Sequence, residues 1–259
     1  MISDSELSSL LGKHIGLYPF VDRNVEGASI FLTASEFAWA KNEQNQVISI
    51  IKNNVITIPP KVTGIILTAE AISLDGWVAG ICISRVSQTV KDLILPSTPI
   101  KPGWTGRLII TVYNTSNSPI NITIGERIAV VMFSKLKKQV VSDDTRTSRA
   151  DILSYIGVQV PQDQADALKE ALNNRNYINR KYLIEAMKRS DDYLAFKARM
   201  KKKKNPVCIF FILCLLLFVA STICYFIQKN AENDVGYSTA LITVFLTATI
   251  SLAFKIWLE

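Results

Sequence analysis

Arg107 to Tyr113 reads RLIITVY, and Asn121 to Phe133 reads NITIGERIAVVMF. In both stretches apolar and polar residues alternate with the period of two that turns one side of a strand to a core and the other to solvent. In the second, Gly125 marks the turn between two strands. Working outward, the residues from about Val21 to Lys138 are rich in Ile, Val, Thr and aromatics. Turn signals break them at Asn53-Asn54, Pro59-Pro60, Asp75-Gly76, Pro102-Gly103, Asn117-Ser118-Pro119 and Gly125-Glu126. Short strands at that spacing predict a compact, mainly β barrel or sandwich. A short helix is expected before it, from Ser3 to Leu11, with Ser3 as the cap and Glu6 at the capping-box position.

After Val141 the period changes. A polar break, SDDTRTS, precedes apolar residues at three- and four-residue spacing in Arg149 to Ile156, Gln162 to Leu172 and Asn179 to Met200. These are expected to be amphipathic helices, with a start at Pro161 and Asp163 and a stop at Asn173-Asn174. Their apolar faces could lie on the barrel, on one another or in a membrane interface. Residues 141–204 are therefore read as a helical, basic juxtamembrane linker behind a domain of residues 1–140.

The third part, residues 205–259, is read as membrane-embedded. Val207 to Ile227 (VCIFFILCLLLFVASTICYFI) holds no charge, and Thr239 to Leu258 (TALITVFLTATISLAFKIWL) holds only Lys255, near its end. Either is long enough as a helix to cross a hydrocarbon core of roughly 30 Å. The polar QKNAENDVGYS between them suits an antiparallel hairpin. Lys201 to Lys204 directly before the first span keep that end cytoplasmic by the positive-inside rule, so a multi-pass inner-membrane protein is expected, with both the N-terminal domain and the C-terminus in the cytoplasm. The start, MISDSELSSLLGKH, lacks the basic and apolar pattern of a secretory signal. Between Arg175 and Lys204 eleven Lys or Arg face three Asp or Glu, an imbalance exceeding the +7 of the whole chain. The basic excess is thus assigned to the lipid bilayer as partner, and no nucleic-acid partner is expected. Cys208, Cys214 and Cys224 fall in the first span and Cys82 stands alone in the β region, which gives no disulfide framework and no cysteine zinc site.

The β region resembles a known family. Ile15-Gly16-Leu17-Tyr18-Pro19-Phe20, Gly27-Ala28-Ser29, Ile58-Pro59-Pro60, Ile66-Leu67-Thr68-Ala69-Glu70, Ala79-Gly80-Ile81 and Arg85 look like the front half of a dCTP deaminase. Ile100 to Gly106 (IKPGWTG), Val112-Tyr113-Asn114, Ser118-Pro119-Ile120 and Gly125 to Ala129 resemble the core shared by dCTP deaminases and dUTPases. The resemblance covers roughly residues 1–138 and implies a dUTPase-like barrel, trimeric assembly and subunit clefts that accept nucleoside phosphates.

It also implies which chemistry is missing. Where the family's phosphate-binding stretch has glycine, arginine, serine, serine, leucine, any residue and arginine, this chain has Ser84-Arg85-Val86-Ser87-Gln88-Thr89-Val90. The deaminase general base would stand at Thr111, and a threonine hydroxyl does not shuttle protons near neutral pH. The dUTPase aspartate position holds Lys101. No catalytic residue is therefore assigned, and Arg85, Ser87, Lys101 and Asn114 are the candidate nucleotide-binding residues. The expected ligand is a deoxypyrimidine triphosphate or a cyclic nucleotide. No cofactor is expected apart from magnesium carried by a nucleotide; His14, the sole histidine, is read as a helix-end residue rather than a metal ligand. Trp104 and Tyr113 are read as barrel core, and Arg127 as a partner for a nucleotide or for a carboxylate across strands. The whole architecture resembles bacterial antiphage effectors, in which a nucleotide-sensing domain controls membrane helices. Two alternatives stay open: an active deaminase or dUTPase using a displaced carboxylate such as Asp92 or Glu126, and an oligomeric scaffold that binds no nucleotide.

Overall fold

The computed structural model describes residues 1–41, 47–141, 162–201 and 222. The chain divides into two compact units, Met1–Lys197 and Ala198–Glu259. The second lies almost wholly outside the described residues, and with it both expected spans, 207–227 and 239–258; so does the expected helix at 149–156. Among the described residues no helix is long and apolar enough to cross a membrane.

The first unit opens as its sequence predicts. Helix α1, Asp4–Leu10, has a complete capping box: Glu6 N–H donates to the Ser3 hydroxyl and Ser3 N–H to the Glu6 carboxylate. The strands are β1 (Ile15–Tyr18), β2 (Val25–Glu26), β3 (Ser29–Lys41), β4 (Val47–Ser49), β5 (Ile51–Lys52), β6 (Val55–Ile58), β7 (Thr63–Leu74) and β8 (Val78–Ser84). One helical turn, α2 (Val86–Thr89), separates these from β9 (Leu93–Ile94), β10 (Thr98–Ile100), β11 (Thr105–Asn114), β12 (Ile120–Thr123) and β13 (Arg127–Lys135).

Pairing curls these strands into a mainly β body. The main sheet runs β10-β8-β13-β3-β7-β11-β9, with β1 added on β7 and β2 and β4 on β3; a smaller sheet runs β12-β6-β5. Strand β3 makes the curl. Its first half pairs β13, with Phe31 opposite Val130, and its second half pairs β7, with Trp39 opposite Ile65. The register shift between Ala34 and Ala38 is the irregularity that lets one strand serve both neighbours. Gly125, at φ +84°, occupies a turn, but β12 and β13 lie in different sheets, so the turn is a corner rather than a hairpin. The inward residues Ile30, Leu32, Ile66, Ile72, Val131 and Phe133 are buried.

The boundary expected at residue 140 is not where the structure divides the chain. Helices α3 (Gln162–Asn173), α4 (Arg175–Ile178) and α5 (Arg180–Arg189) and the helical residues 191–197 belong to the barrel's unit. Hydrophobic burial is the reason. Leu168 and Leu172, one turn apart on α3, pack on Phe37, Trp39, Ile65 and Leu67 of β3 and β7. Leu183 and Met187 of α5 are fully buried against β1. At Gly16 a Cβ would stand 2.5 Å from Leu183 Cδ2, so helix and strand approach more closely than any side chain there would permit. Beyond α5, Tyr193 and Phe196 pack on Phe20, with ring centroids 5.3 and 5.5 Å away, and the Tyr193 hydroxyl donates to the Leu11 carbonyl. The segment expected as one helix from Asn179 to Met200 breaks at Ser190, whose extended backbone ends α5 and whose carbonyl accepts from Leu194 N–H. Ser190-Asp191-Asp192 is a helix-start pattern inside the apolar periodicity.

Candidate functional site

Strand β8 ends at Ser84, and Arg85 forms the extended cap of α2. Its guanidinium Nη1 donates to the Arg127 carbonyl at 2.9 Å and lies over the Phe31 ring, 5.0 Å from the centroid. Arg127 lies over the same ring at 4.5 Å. Its own fork is spent on the barrel: Nη1 meets Glu26 at 2.6 Å, Nε donates to Asn24 Oδ1 at 3.0 Å, and Nη2 donates to the Arg23 carbonyl. Arg127 is thus paired with a carboxylate, which leaves Arg85 as the arginine presented at the turn. Ser87, two residues on, is exposed.

Behind this turn lies Gln88, buried, whose amide donates to Glu126 Oε1 at 2.9 Å and to the Arg127 carbonyl at 3.2 Å. Burial works to raise the Glu126 pKa, but the donors Gln88 and Thr123 N–H and the nearby Lys91 outweigh it and hold the carboxyl below its ordinary range. An ionised, triply engaged Glu126 is a structural acceptor rather than a proton shuttle. The exposed Asp92, at φ +62°, uses its carbonyl to hold Thr115 N–H and hydroxyl, both at 2.9 Å.

The other candidates fall elsewhere. Lys101 is exposed and follows Ile100, which pairs with Gly80 near the start of β8. Arg85 is at the far end of that strand, so within one chain the two are separated by about 20 Å. Asn114 is fully buried and wholly committed. Its amide nitrogen donates to the carbonyls of Ile58, Pro59 and Ser118 at 3.0, 3.1 and 2.8 Å, and its oxygen accepts from Ser116 N–H and hydroxyl. The structure therefore makes Asn114 the pin of the 115–118 loop, with no group left for a ligand. Thr111 and Tyr113 face outward on β11, Tyr113 being 38% exposed, so its reading as core is corrected. The cause is the strict alternation of β11: Ile110 and Val112 take the inward face. Trp104 is partly buried, its indole N–H donating to the Gly106 carbonyl at 3.3 Å. His14 lies beyond the end of α1, where Nδ1 meets Asp75 at 2.6 Å. Among the described residues no group of three or more His, Cys, Asp or Glu is placed to hold a metal ion.

One buried pair escaped the sequence reading. Glu70 on β7 accepts from Thr33 N–H and hydroxyl, both at 2.8 Å, and burial raises its pKa despite these donors and the nearby Arg107. Arg107 is itself 6% exposed, and its Nε and Nη1 have no acceptor among the described residues. An alternating strand places position 107 on the outward face, where the Tyr177 ring of α4 covers its guanidinium.

The first unit is thus a curled, mainly β body with an arginine at a strand-to-helix turn and the neighbouring Glu126 carboxylate engaged. Comparison with known proteins names the family. The model of the dCTP deaminase-like family matches residues 1–136. The dCTP deaminase of Pyrococcus furiosus is 31% identical over 125 residues, covering 48% of this chain and 78% of that protein. The dCTP deaminase of Thermococcus kodakarensis is 29% identical over 125 residues, covering 48% and 79%. The chain belongs to the dCTP deaminase-like family. Among solved structures, a 2'-deoxycytidine 5'-triphosphate deaminase from Agrobacterium tumefaciens matches with a TM-score of 0.43 at 15% identity, over 52% of this chain and 48% of that one. A dUTPase from phage phi11 of S. aureus matches with a TM-score of 0.35 at 14% identity, over 50% and 98%.

Proposed function

We propose that the chain is a membrane-anchored member of this family that binds a nucleotide without converting it and transmits the bound state to its C-terminal helices as the effector of an antiphage response. The observation that carries the reading is at the two positions that matter most: Arg85 is held at the mouth of the β8–α2 turn, whereas the position of the expected general base is Thr111, outward-facing on β11. Binding of phosphate needs fixed cationic and hydroxyl donors, which Arg85 and Ser87 supply; deamination needs a proton carrier, which Thr111 does not.

The separation of Arg85 from Lys101 bears on assembly. A nucleotide touching both would bridge two copies of the chain, in keeping with the trimer the family resemblance implies. Val86 and Val90, 80% and 78% exposed and one turn apart beside Arg85, give such a contact an apolar component. Replacing Arg85 with Ala tests the proposal: nucleotide binding should fall by about tenfold or more, the loss of a charged hydrogen bond, with the melting temperature kept. Full-strength binding by Arg85→Ala would remove the arginine from the site.

A second reading is favoured by the relatives, which are named dCTP deaminases: an active deaminase with a displaced base. It requires release of ammonia from dCTP, which the first reading denies.

A further inference from the structure

On one flank of α5 a groove of about 710 Å³ runs against the barrel, floored by the Gly12–Lys13 turn and by Gly103 and Thr105. Its volume lies in the range of small-molecule sites, about 300–1,000 Å³. Its charge is one-sided. Lys13, Arg180, Lys181 and Lys188 line it, and Glu185 is the acid in the lining. Glu185 faces Arg189 at 4.0 Å, and Arg180 is drawn to Asp75 at 3.7 Å while donating to the carbonyls of Lys13 and His14. Among the described residues no carboxylate pairs with the ammonium groups of Lys13, Lys181 or Lys188.

The three lysines come from two directions. Lys13 belongs to the turn between α1 and β1; Lys181 and Lys188 share one face of α5, two turns apart. Gly12 has φ +81°, and a Cβ there would stand 3.2 Å from Lys188 Cε, so the methylene stem of Lys188 lies across the glycine and carries its ammonium to the groove. The first N–H groups of α5 are already capped, Lys181 and Tyr182 N–H donating to Asn179 Oδ1 at 3.0 and 3.4 Å, so the attraction resides in the side chains. Three like charges around one concavity repel one another, and a multiply charged anion relieves all three at once. Ile178 and Ile184 in the same wall would accept an apolar group attached to that anion. The α5 wall, with Lys181 and Lys188, lies outside residues 1–136, so the groove joins the part of the chain that the family model matches to a part that it does not.

We propose that this groove binds a phosphate-bearing anion, a diphosphate or a phosphomonoester, held by Lys13, Lys181 and Lys188. The groove lining does not include Arg85. The full chain in non-ionic detergent is titrated calorimetrically with inorganic pyrophosphate and, independently, with water-soluble dioctanoyl phosphatidic acid. Saturable binding is expected, weakening as salt rises, and falling about five-fold for each lysine replaced by alanine. Lys181→Ala/Lys188→Ala should therefore lose about 25-fold with an unchanged melting temperature, since both side chains are exposed. Lys52→Ala, an exposed lysine on β5 outside the groove, should bind like the parent. Binding of pyrophosphate assigns the groove to a soluble ligand, and binding of the lipid alone assigns it to a membrane headgroup. No binding of either probe, equal binding by parent and double variant, or an equal loss in Lys52→Ala would overturn the proposal.

Discussion

The guanidinium carbon of Arg107 on β11 lies 4.3 Å from the centre of the Tyr177 ring on α4. The barrel thus keeps a buried cation under an aromatic face while two of its donors, Nε and Nη1, meet no acceptor among the described residues. Tyr177 also meets Tyr18 of β1 in a tilted ring contact, 5.5 Å between centroids, so one ring ties the helical segment to two strands.

Removing that ring should loosen the helices. Tyr177→Ala is expected to cost about 2 kcal/mol, the size of a desolvated cation–π contact. Tyr177→Phe keeps the ring face and should cost well under half as much. Urea unfolding measures both, and equal losses would show that the hydroxyl rather than the ring matters.

Gly16 is held to zero side chain by α5. Gly16→Ala places a Cβ 2.5 Å from Leu183 Cδ2 and 3.0 Å from Ile184 Cγ1, and should destabilise by about 1–3 kcal/mol through overpacking. Leu183→Ala, which empties the same contact, should cost about 2–5 kcal/mol. Because overpacking and the cavity compensate, the double variant should lose less than the sum of the two. Strict additivity would contradict the contact.

Burial raises the folded-state pKa of Glu70 above 4.5. The folded protein therefore holds the Glu70 proton to higher pH than the unfolded chain, and stability from this group falls as pH rises from 4.5 through the folded pKa. Glu70→Gln keeps an acceptor for Thr33 and carries no charge to bury. Its stability relative to the parent should rise across that window and flatten above it; a difference independent of pH would mean that Glu70 is not the titrating group.

Asn114 separates a scaffold role from a binding role. Asn114→Ala removes the amide donor to the carbonyls of Ile58, Pro59 and Ser118, leaving Ser118 with the Ser116 hydroxyl, and should cost about 2–4 kcal/mol, with loosened exchange protection at residues 115–118. Unaltered stability with lost nucleotide affinity would restore it as a ligand contact.

Much of the barrel was legible because its strands follow simple rules. RLIITVY alternates, and the turn residues at Asn53-Asn54, Asp75-Gly76 and Pro102-Gly103 fall where the chain reverses. The capping box at Ser3 and Glu6 was equally local. The destination of the helices was not legible, because the stripe of Leu168 and Leu172 suits a sheet, a helix or a membrane surface alike; the apolar outer face of Phe37 and Trp39 decides it. At the candidate site, Arg85 and Ser87 share the β8–α2 turn as near neighbours in sequence must, whereas Asn114 changed meaning once three carbonyls converged on its amide. Arg107 and Glu70 were missed for a related reason: their burial depends on elements distant in sequence.

The central claim is that the barrel binds a nucleotide and leaves it intact. The most direct measurement is calorimetric titration of the full chain with dCTP, dUTP and cyclic nucleotides, each mixture then analysed for products. Saturable heat is expected with at least one of them, lost in Arg85→Ala, with every nucleotide recovered unchanged. Ammonia released from dCTP, or pyrophosphate from dUTP, would contradict it.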